Sequence, residues 1–455
     1  MLSENSTKLF LMLAAGGVLA GVTWWRPMIG LFIYLASVGL DYLIGVVGFN
    51  TGGIFSIGQG MLMLLVAVSG IRLWTSKSTV SPPARRLFGC LVFFAVAVWL
   101  SVFFGVWPAN SAYPAAVISA LLFVPFVFYV LVDTAGRLRW FLWAIGLGSV
   151  LSALIGTLQF SGVLQATAES DMDSVEDARG AVREYQGINK QQNQGTRYAG
   201  PTKNPNAFGD VLMGGIPALF FLMATSRKLP ARLLALSGLG ACAFALLLSM
   251  SRTYIIAFLV FLALMAVFLH RGGLLQRVLL LFTALLIGAA FTFMILNTEG
   301  VGERISAGFR DGGDTSTQAR TAVLQGGVMA WLDFPFCGIG LNNTSPANYN
   351  GNGNASHDII STLLGEMGTI GFVAFALLVI QAFKTVSTDG EPESCPKIGL
   401  LVRSVIFICL LSGSGDTVVF GRSLWIWLGL GAILSRLHSP PPPAAELPDL
   451  TGDLC

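Results

Sequence analysis

The chain has 455 residues, 54% hydrophobic and 11% charged, with mean hydropathy +0.72 and net charge +3. A soluble protein carries roughly 25% charged residues, so this chain cannot cover a water-facing surface and reads as an all-α polytopic integral membrane protein. The net charge is too small to point to nucleic acid, and six scattered cysteines without a CxxC spacing give no disulfide or zinc framework.

A membrane span needs about 20 apolar residues. In chain order the candidates are 8–25, 28–48, 54–74, 87–107, 113–132, 139–160, 207–225, 232–249, 252–269, 276–296, 358–382, 398–412 and 419–437. The first run, from Leu9, lacks a small-residue cleavage site and reads as a retained span. The first two runs flank Trp24-Trp25-Arg26-Pro27 and can also pack as short or broken helices, so the expectation is about 12 spans, 12–13. The chain then divides into N-terminal helices at 1–160, a first loop at 161–206, central helices at 207–296, a second loop at 297–357, C-terminal helices at 358–437 and a proline-rich tail at 438–455.

Short loops fix the expected orientation. Residues 75–86, 133–139, 226–232 and 270–277 carry lysine and arginine, whereas 49–53 and 108–112 carry no charge. The positive-inside rule places the basic set in the cytoplasm, and both long loops then lie outside. The second contains an expected helix at about 317–333, with Val323, Leu324, Val328, Trp331 and Leu332 near helical spacing. Such a helix suits the membrane surface or the lid of a cavity.

The outer face thus collects Arg197, Lys203, Arg252, Arg320 and His357. Arg252 lies in Ser249-Met250-Ser251-Arg252-Thr253, between two apolar runs with almost no loop. An arginine at that depth either snorkels to lipid headgroups or faces a cavity and a partner. His357 opens a span and has an unperturbed pKa near neutrality; it is either a helix-end residue or an acid–base group. Asn206 and Asp210 sit near the outer face and can line the same cavity, and Asp358 follows His357 directly. A lone outer histidine makes a histidine-rich metal site unexpected. The acidic stretch 169–177 and Asp311 with Asp314 fit no calcium-loop spacing and read as solvated loop.

In this order the residues resemble the O-antigen ligase and O-antigen polymerase superfamily of bacterial envelope proteins. The carriers are Arg197 with Gly200 and Asn204-Pro205-Asn206; Ser251-Arg252 opening a span; Arg320 and Trp331 before Pro335-x-x-Gly338-x-Gly340; and His357 followed by Glu366-x-Gly368 and Gly371. The motifs are short, and their order and spacing over roughly 195–380 carry the likeness. One departure is Asp358, where the family often has asparagine. The resemblance implies a GT-C-like membrane glycosyltransferase in the bacterial inner membrane, with its site facing the periplasm. The implied donor is a glycan on undecaprenyl pyrophosphate. The implied acceptor is a hydroxyl of lipid A-core or of a growing glycan, and no cofactor or metal is implied. In that reading Arg252, Arg320 and His357 are catalytic, and Arg197, Lys203, Asn206, Asp210 and Asp358 bind substrate. Ligase, polymerase and protein O-glycosylation ligase share these motifs. The rival class is a polysaccharide transporter or flippase, favoured by the intramembrane polar residues Asp41, Gln59, Gln159, Asp210 and Asp416, and opposed by the lack of a clear internal repeat.

Overall fold

The computed structural model describes residues 17–37, 57–76, 80–163, 198, 200–202, 205–268, 315–344, 358–386, 397–413 and 421–437, the side chains of 57–59, 267–268 and 315–320 excepted. Among these the regular structure is entirely helical. The helices are α1 (Pro27–Ser37), α2 (Ile57–Ser76), α3 (Pro82–Phe104), α4 (Pro108–Leu122), α5 (Val124–Leu131), α6 (Ala135–Phe160), α7 (Pro205–Thr225), α8 (Leu229–Leu248), α9 (Arg252–Phe268), α10 (Thr315–Asp333), α11 (Gly368–Thr385), α12 (Ile398–Ser412) and α13 (Arg422–Leu437). A π-helical turn, Ser361–Glu366, precedes α11.

Among the described residues six stretches are long and apolar enough to cross a membrane: Pro82–Phe104, Pro108–Leu131, Ala135–Phe160, Pro205–Thr225, Leu229–Leu248 and Gly368–Thr385. Four shorter apolar helices accompany them, so the chain is a multi-pass membrane protein in its architecture. The expected total of about 12 spans reaches beyond the described residues, since 276–296 and half of 8–25 lie outside them. Two expected spans have a different form. The run at 113–132 starts at Pro108 and breaks at Phe123, whose own carbonyl and the following Val124-Pro125 restart the helix as α5. The run at 358–382 is not one helix, because the π turn and Gly368, at φ +68°, interrupt it and the span begins at Gly368. Hydropathy reports only how apolar a run is, and these interruptions are backbone events inside apolar sequence.

The described spans, with α4 and α5 counted as one, alternate in direction, so their ends gather on two faces. One face holds the described basic loops. There Ser81 N–H donates to the Tyr129 hydroxyl at 2.8 Å, and Arg436 Nη1 donates to the carbonyls of Tyr129 and Val130 at 2.7 and 3.0 Å. Arg137 pairs with Asp133 at 2.7 Å. The other face, called the site face below, holds the ends of α3, α6, α8 and α12 and the starts of α7, α9, α11 and α13. Central among the helices is α13, buried from Ser423 to Ser435, with Trp425 and Trp427 fully enclosed. Trp427 satisfies its indole N–H on the Gly214 carbonyl at 3.1 Å, as a buried polar group in lipid must.

Candidate active site

Two clusters of polar residues form the site face. The first gathers the starts of α7, α9 and α13. A tight turn at Ser249–Ser251 separates α8 from α9, with Met250 at φ +49°. Ser249 Oγ accepts from the Ser251 N–H at 3.2 Å, and Ser251 Oγ donates to Asn206 Oδ1 at 2.8 Å. That bond fixes the head of α9 against the head of α7. Arg252 is the first residue of α9 and is exposed. A helix N-terminus carries partial positive charge from unsatisfied N–H groups, which disfavours a cation and favours an anion. Arginine at that position therefore adds to the positive field of the helix end. One turn along α7 from Asn206, the carbonyl of half-buried Asp210 accepts from Ser423 Oγ at 2.9 Å, which brings the start of α13 to the same place.

The second cluster is built around the π turn. Asp358 caps it: its two carboxylate oxygens accept from the Ser361 N–H at 2.7 Å and from Ser361 Oγ at 2.5 Å. Met367 N–H reaches back five residues to the Thr362 carbonyl at 3.1 Å, the bond that makes the turn π-helical. Single π turns inside helices recur at functional sites. Helix α10 lies against this turn at very short range. A side chain at Gly327 would meet Ser361 Cα at 2.7 Å, and one at Gly365 would meet the Gly327 carbonyl at 2.7 Å. Small residues are what let two helical backbones approach this far. Ser361 Oγ also touches the Val323 carbonyl at 3.2 Å, and Trp331 Nε1 donates to Thr369 Oγ1 at 3.0 Å.

The face of α10 turned to the protein is thus Val323, Gly326, Gly327 and Ala330. Leu324, Val328, Met329 and Leu332 are exposed. The expected helix exists, but the expected amphipathic pattern does not: only Val323 of its apolar set is enclosed by protein. The buried stripe is made of small residues, because backbone approach and not side-chain volume holds the helix.

The segment after α10 completes the cluster. Gly338, at φ +69°, and Gly368 face each other so closely that a Cβ on either would overlap the opposing backbone. Ile339 and Gly340 N–H donate to the carbonyls of Gly365 and Glu366 at 3.0 and 2.9 Å. Asn343 Nδ2 bonds the Ile339 carbonyl and Ser111 Oγ at 2.9 and 3.1 Å, and Val106 N–H donates to the Ile339 carbonyl at 2.9 Å. Residues 338–344 are therefore pinned between the α3–α4 corner and the π turn. Glu366 is buried inside this clamp, with Thr344 Oγ1 at 2.5 Å from its Oε1. It lies before the span Gly368–Thr385. Burial pushes its carboxyl up to about 7, against the opposing pull of Thr344 and the Asn342 and Thr344 backbone.

Helix α12 joins the clusters. It packs along α9, and at its end the Gly413 carbonyl accepts from the Ile359 N–H at 2.9 Å. Of the expected site residues, Arg252, Asn206, Asp210 and Asp358 are thereby placed on one face. Arg320 lies on α10 one turn before Val323, its side chain outside the described set. His357, Arg197 and Lys203 lie outside the described residues, as do the acidic stretch 169–177 and Asp311 with Asp314. Among the described residues no three His, Cys, Asp or Glu side chains come together as a metal group. The structure adds Arg422, the first residue of α13, next to Ser423 and so to Asp210. Its signal in the sequence was present: an arginine at the outer end of the run 419–437.

No curated protein matches the chain. The family model described as O-antigen ligase matches residues 235–376, which contain Arg252, Arg320 and His357. Over that stretch the chain is similar to the O-antigen ligase family, which supports the resemblance to the O-antigen ligase and O-antigen polymerase superfamily.

Proposed function

We propose that this protein moves a glycan from an undecaprenyl-pyrophosphate carrier to an acceptor hydroxyl at the periplasmic face of the inner membrane, as an O-antigen ligase acting on lipid A-core. What carries the reading is the single family-matched stretch that holds Arg252, Arg320 and His357, together with the packing of the Arg320 helix onto the turn that follows His357.

The chemistry follows from the residue types. The acceptor oxygen attacks the anomeric carbon as the bond from that carbon to the pyrophosphate oxygen breaks. The acceptor's proton passes to neutral His357, and the bonding pair leaves on the lipid pyrophosphate. Arg252 and Arg320 hold that developing negative charge through paired N–H donors. Fixed donors aimed at charge that develops only in the transition state lower the barrier most. Attack opposite the leaving group inverts the anomeric centre. Two guanidiniums supply the neutralisation that a divalent ion would otherwise give. Asp358 serves the same geometry from behind. It is next in sequence to His357, and its carboxylate caps the turn through Ser361. Asn206 positions the head of α9 through Ser251. Arg197, Lys203 and Asp210 complete the substrate-binding set.

A deletion strain tests the reading. Loss of all polymer from lipid A-core on a gel, restored by the intact gene and not by His357→Gln, is the expected result. A single repeat unit left on the core would assign the polymerase reaction in place of ligation. Unchanged polymer with glycan trapped on the cytoplasmic side of the membrane would favour a flippase and overturn the proposal.

A further inference from the structure

On the face opposite the site, α1, α2 and α6 enclose a half-open groove of about 720 Å³. Its mouth carries three guanidiniums, Arg26, Arg72 and Arg137, and its wall is apolar, with Phe32, Leu35 and Phe141 among the lining residues. The one described acid beside it is Asp133, which binds Arg137 alone, so the mouth keeps a net positive charge. The lining on α6 runs from Arg137 to Ala144, a depth of about 10 Å by helical rise. Charge sits at the shallow end and hydrocarbon at the deep end. Trp25 and Trp140 lie at the groove 81% and 65% exposed, and nearby Trp74 is 86% exposed. Exposed tryptophans of this kind mark the headgroup level of a bilayer.

We infer that this groove is a binding site for an anionic phospholipid, the headgroup phosphate held by Arg26 and Arg72 with support from Arg137, and one acyl chain lying along Phe32, Leu35 and Phe141. Basic pockets between membrane helices on the cytoplasmic side take such headgroups. A guanidinium gives a phosphate diester two parallel hydrogen bonds, and an aliphatic chain fits the wall as a soluble phosphate does not. The inference rests on the chain spanning a membrane and not on the transfer chemistry proposed above. It assigns to the inner-leaflet end of the bundle a bound lipid that fastens α1 and α2 onto α6.

Native mass spectrometry of the full-length protein in detergent tests it, with phosphatidylglycerol and phosphatidylcholine of identical chains and with inorganic phosphate. Phosphatidylglycerol is expected to remain bound preferentially, and inorganic phosphate to neither bind nor displace it. The double variant Arg26→Gln/Arg72→Gln should weaken phosphatidylglycerol binding by about tenfold or more, since each surface cation contributes about 1 kcal/mol to an anionic lipid. Arg26→Lys/Arg72→Lys should retain most of it. Arg85→Gln/Arg86→Gln removes two cations at the start of α3, outside the groove, and should leave binding unchanged. Equal loss in both glutamine pairs would show a diffuse basic surface and overturn the site. Displacement by inorganic phosphate, or equal retention of the two lipids by the wild type, would overturn it as well.

Discussion

The two ends of the bundle are fastened by different chemistry. At the basic face arginines serve the fold: half-buried Arg436 donates to two backbone carbonyls and sits over the Tyr129 ring at 5.5 Å, and Arg137 is tied to Asp133. At the site face the fastening is mostly backbone and uncharged side chains, with the Asp358 carboxylate capping the π turn. Glycine-to-glycine approach, the Asn343–Ser111 pair and the Glu366–Thr344 bond hold α10, the 338–344 segment and the π turn together. Arg252, by contrast, stands exposed at the head of a helix whose dipole opposes it. Arg436 and Arg137 thus serve the fold at one end, and at the other Arg252 is exposed at a helix head, which suits a site for an anionic leaving group.

The largest expected effect separates the two kinds of arginine. Arg252→Ala should reduce transfer by roughly 100-fold or more while leaving the protein folded, and Arg252→Lys should restore little of it, because a lysine cannot form the paired donors. Arg436→Ala should do the reverse. It leaves two carbonyls without their donor and lowers stability by about 1–3 kcal/mol, with the rate per folded molecule kept. Purified variants assayed for transfer and for thermal unfolding in detergent check both arms. An active Arg252→Ala would make that residue a snorkelling arginine and erase the contrast.

His357→Gln should be comparably damaging and carries a pH signature. A base must be neutral, so the wild-type rate at limiting acceptor should fall as pH drops through the usual histidine range, about 6.5. The residual rate of the variant should be flat across that window. A pH–rate profile with a soluble acceptor analogue decides it, and an unchanged acid limb in an active variant would move the base elsewhere.

Gly327→Val sharpens the comparison from the packing side. Its side chain has no room against Ser361, so α10 must shift away and carry Arg320 with it. Misplacement by about 1 Å can cost on the order of 100-fold in rate. Gly240→Val, in α8 with open space at its Cβ, is the control and should leave the rate within about threefold, since unstrained helix surface changes are small. Equal rates for the two variants would show that the close approach does not set the site.

The smallest effect is on stability. The folded chain holds Glu366 protonated up to about pH 7, whereas the ordinary value is 4.5. The stabilising share of that proton is complete below the ordinary value and is lost as pH rises through 7. Unfolding temperature should therefore decline between pH 5 and 8, by the equivalent of about 1–3 kcal/mol. Glu366→Gln keeps a neutral partner for Thr344 and should flatten that slope. A variant with the wild-type slope would assign the decline to another group.

How much of this was legible in the sequence varies with the residue. Arg252 was readable because a guanidinium between two apolar runs is rare for a simple energetic reason. Helix α10 was readable from apolar spacing, and its observed range, Thr315–Asp333, extends the expected 317–333 by only two residues at its start. Its buried face was not readable, because Gly326, Gly327 and Ala330 look unremarkable until another backbone lies against them. Asp358 reads as a substrate contact, and the cap that its carboxylate forms on the π turn through Ser361 could be seen only in the fold. Arg422 was not readable as a neighbour of the site because it is the adjacent Ser423 that reaches α7, some two hundred residues earlier in the chain.

The sequence by itself determined the solvent this protein lives in, its helical class and the order of its polar motifs. Those properties are sums over composition and local periodicity, and a low count of charges or a 20-residue apolar run means the same thing wherever it folds. Only the tertiary structure decided which motifs meet. The π turn, the facing glycines at 338 and 368, and the seat of Glu366 depend on atoms far apart in the chain arriving within van der Waals distance. Packing at that range responds to the shape of the partner, which no single segment encodes.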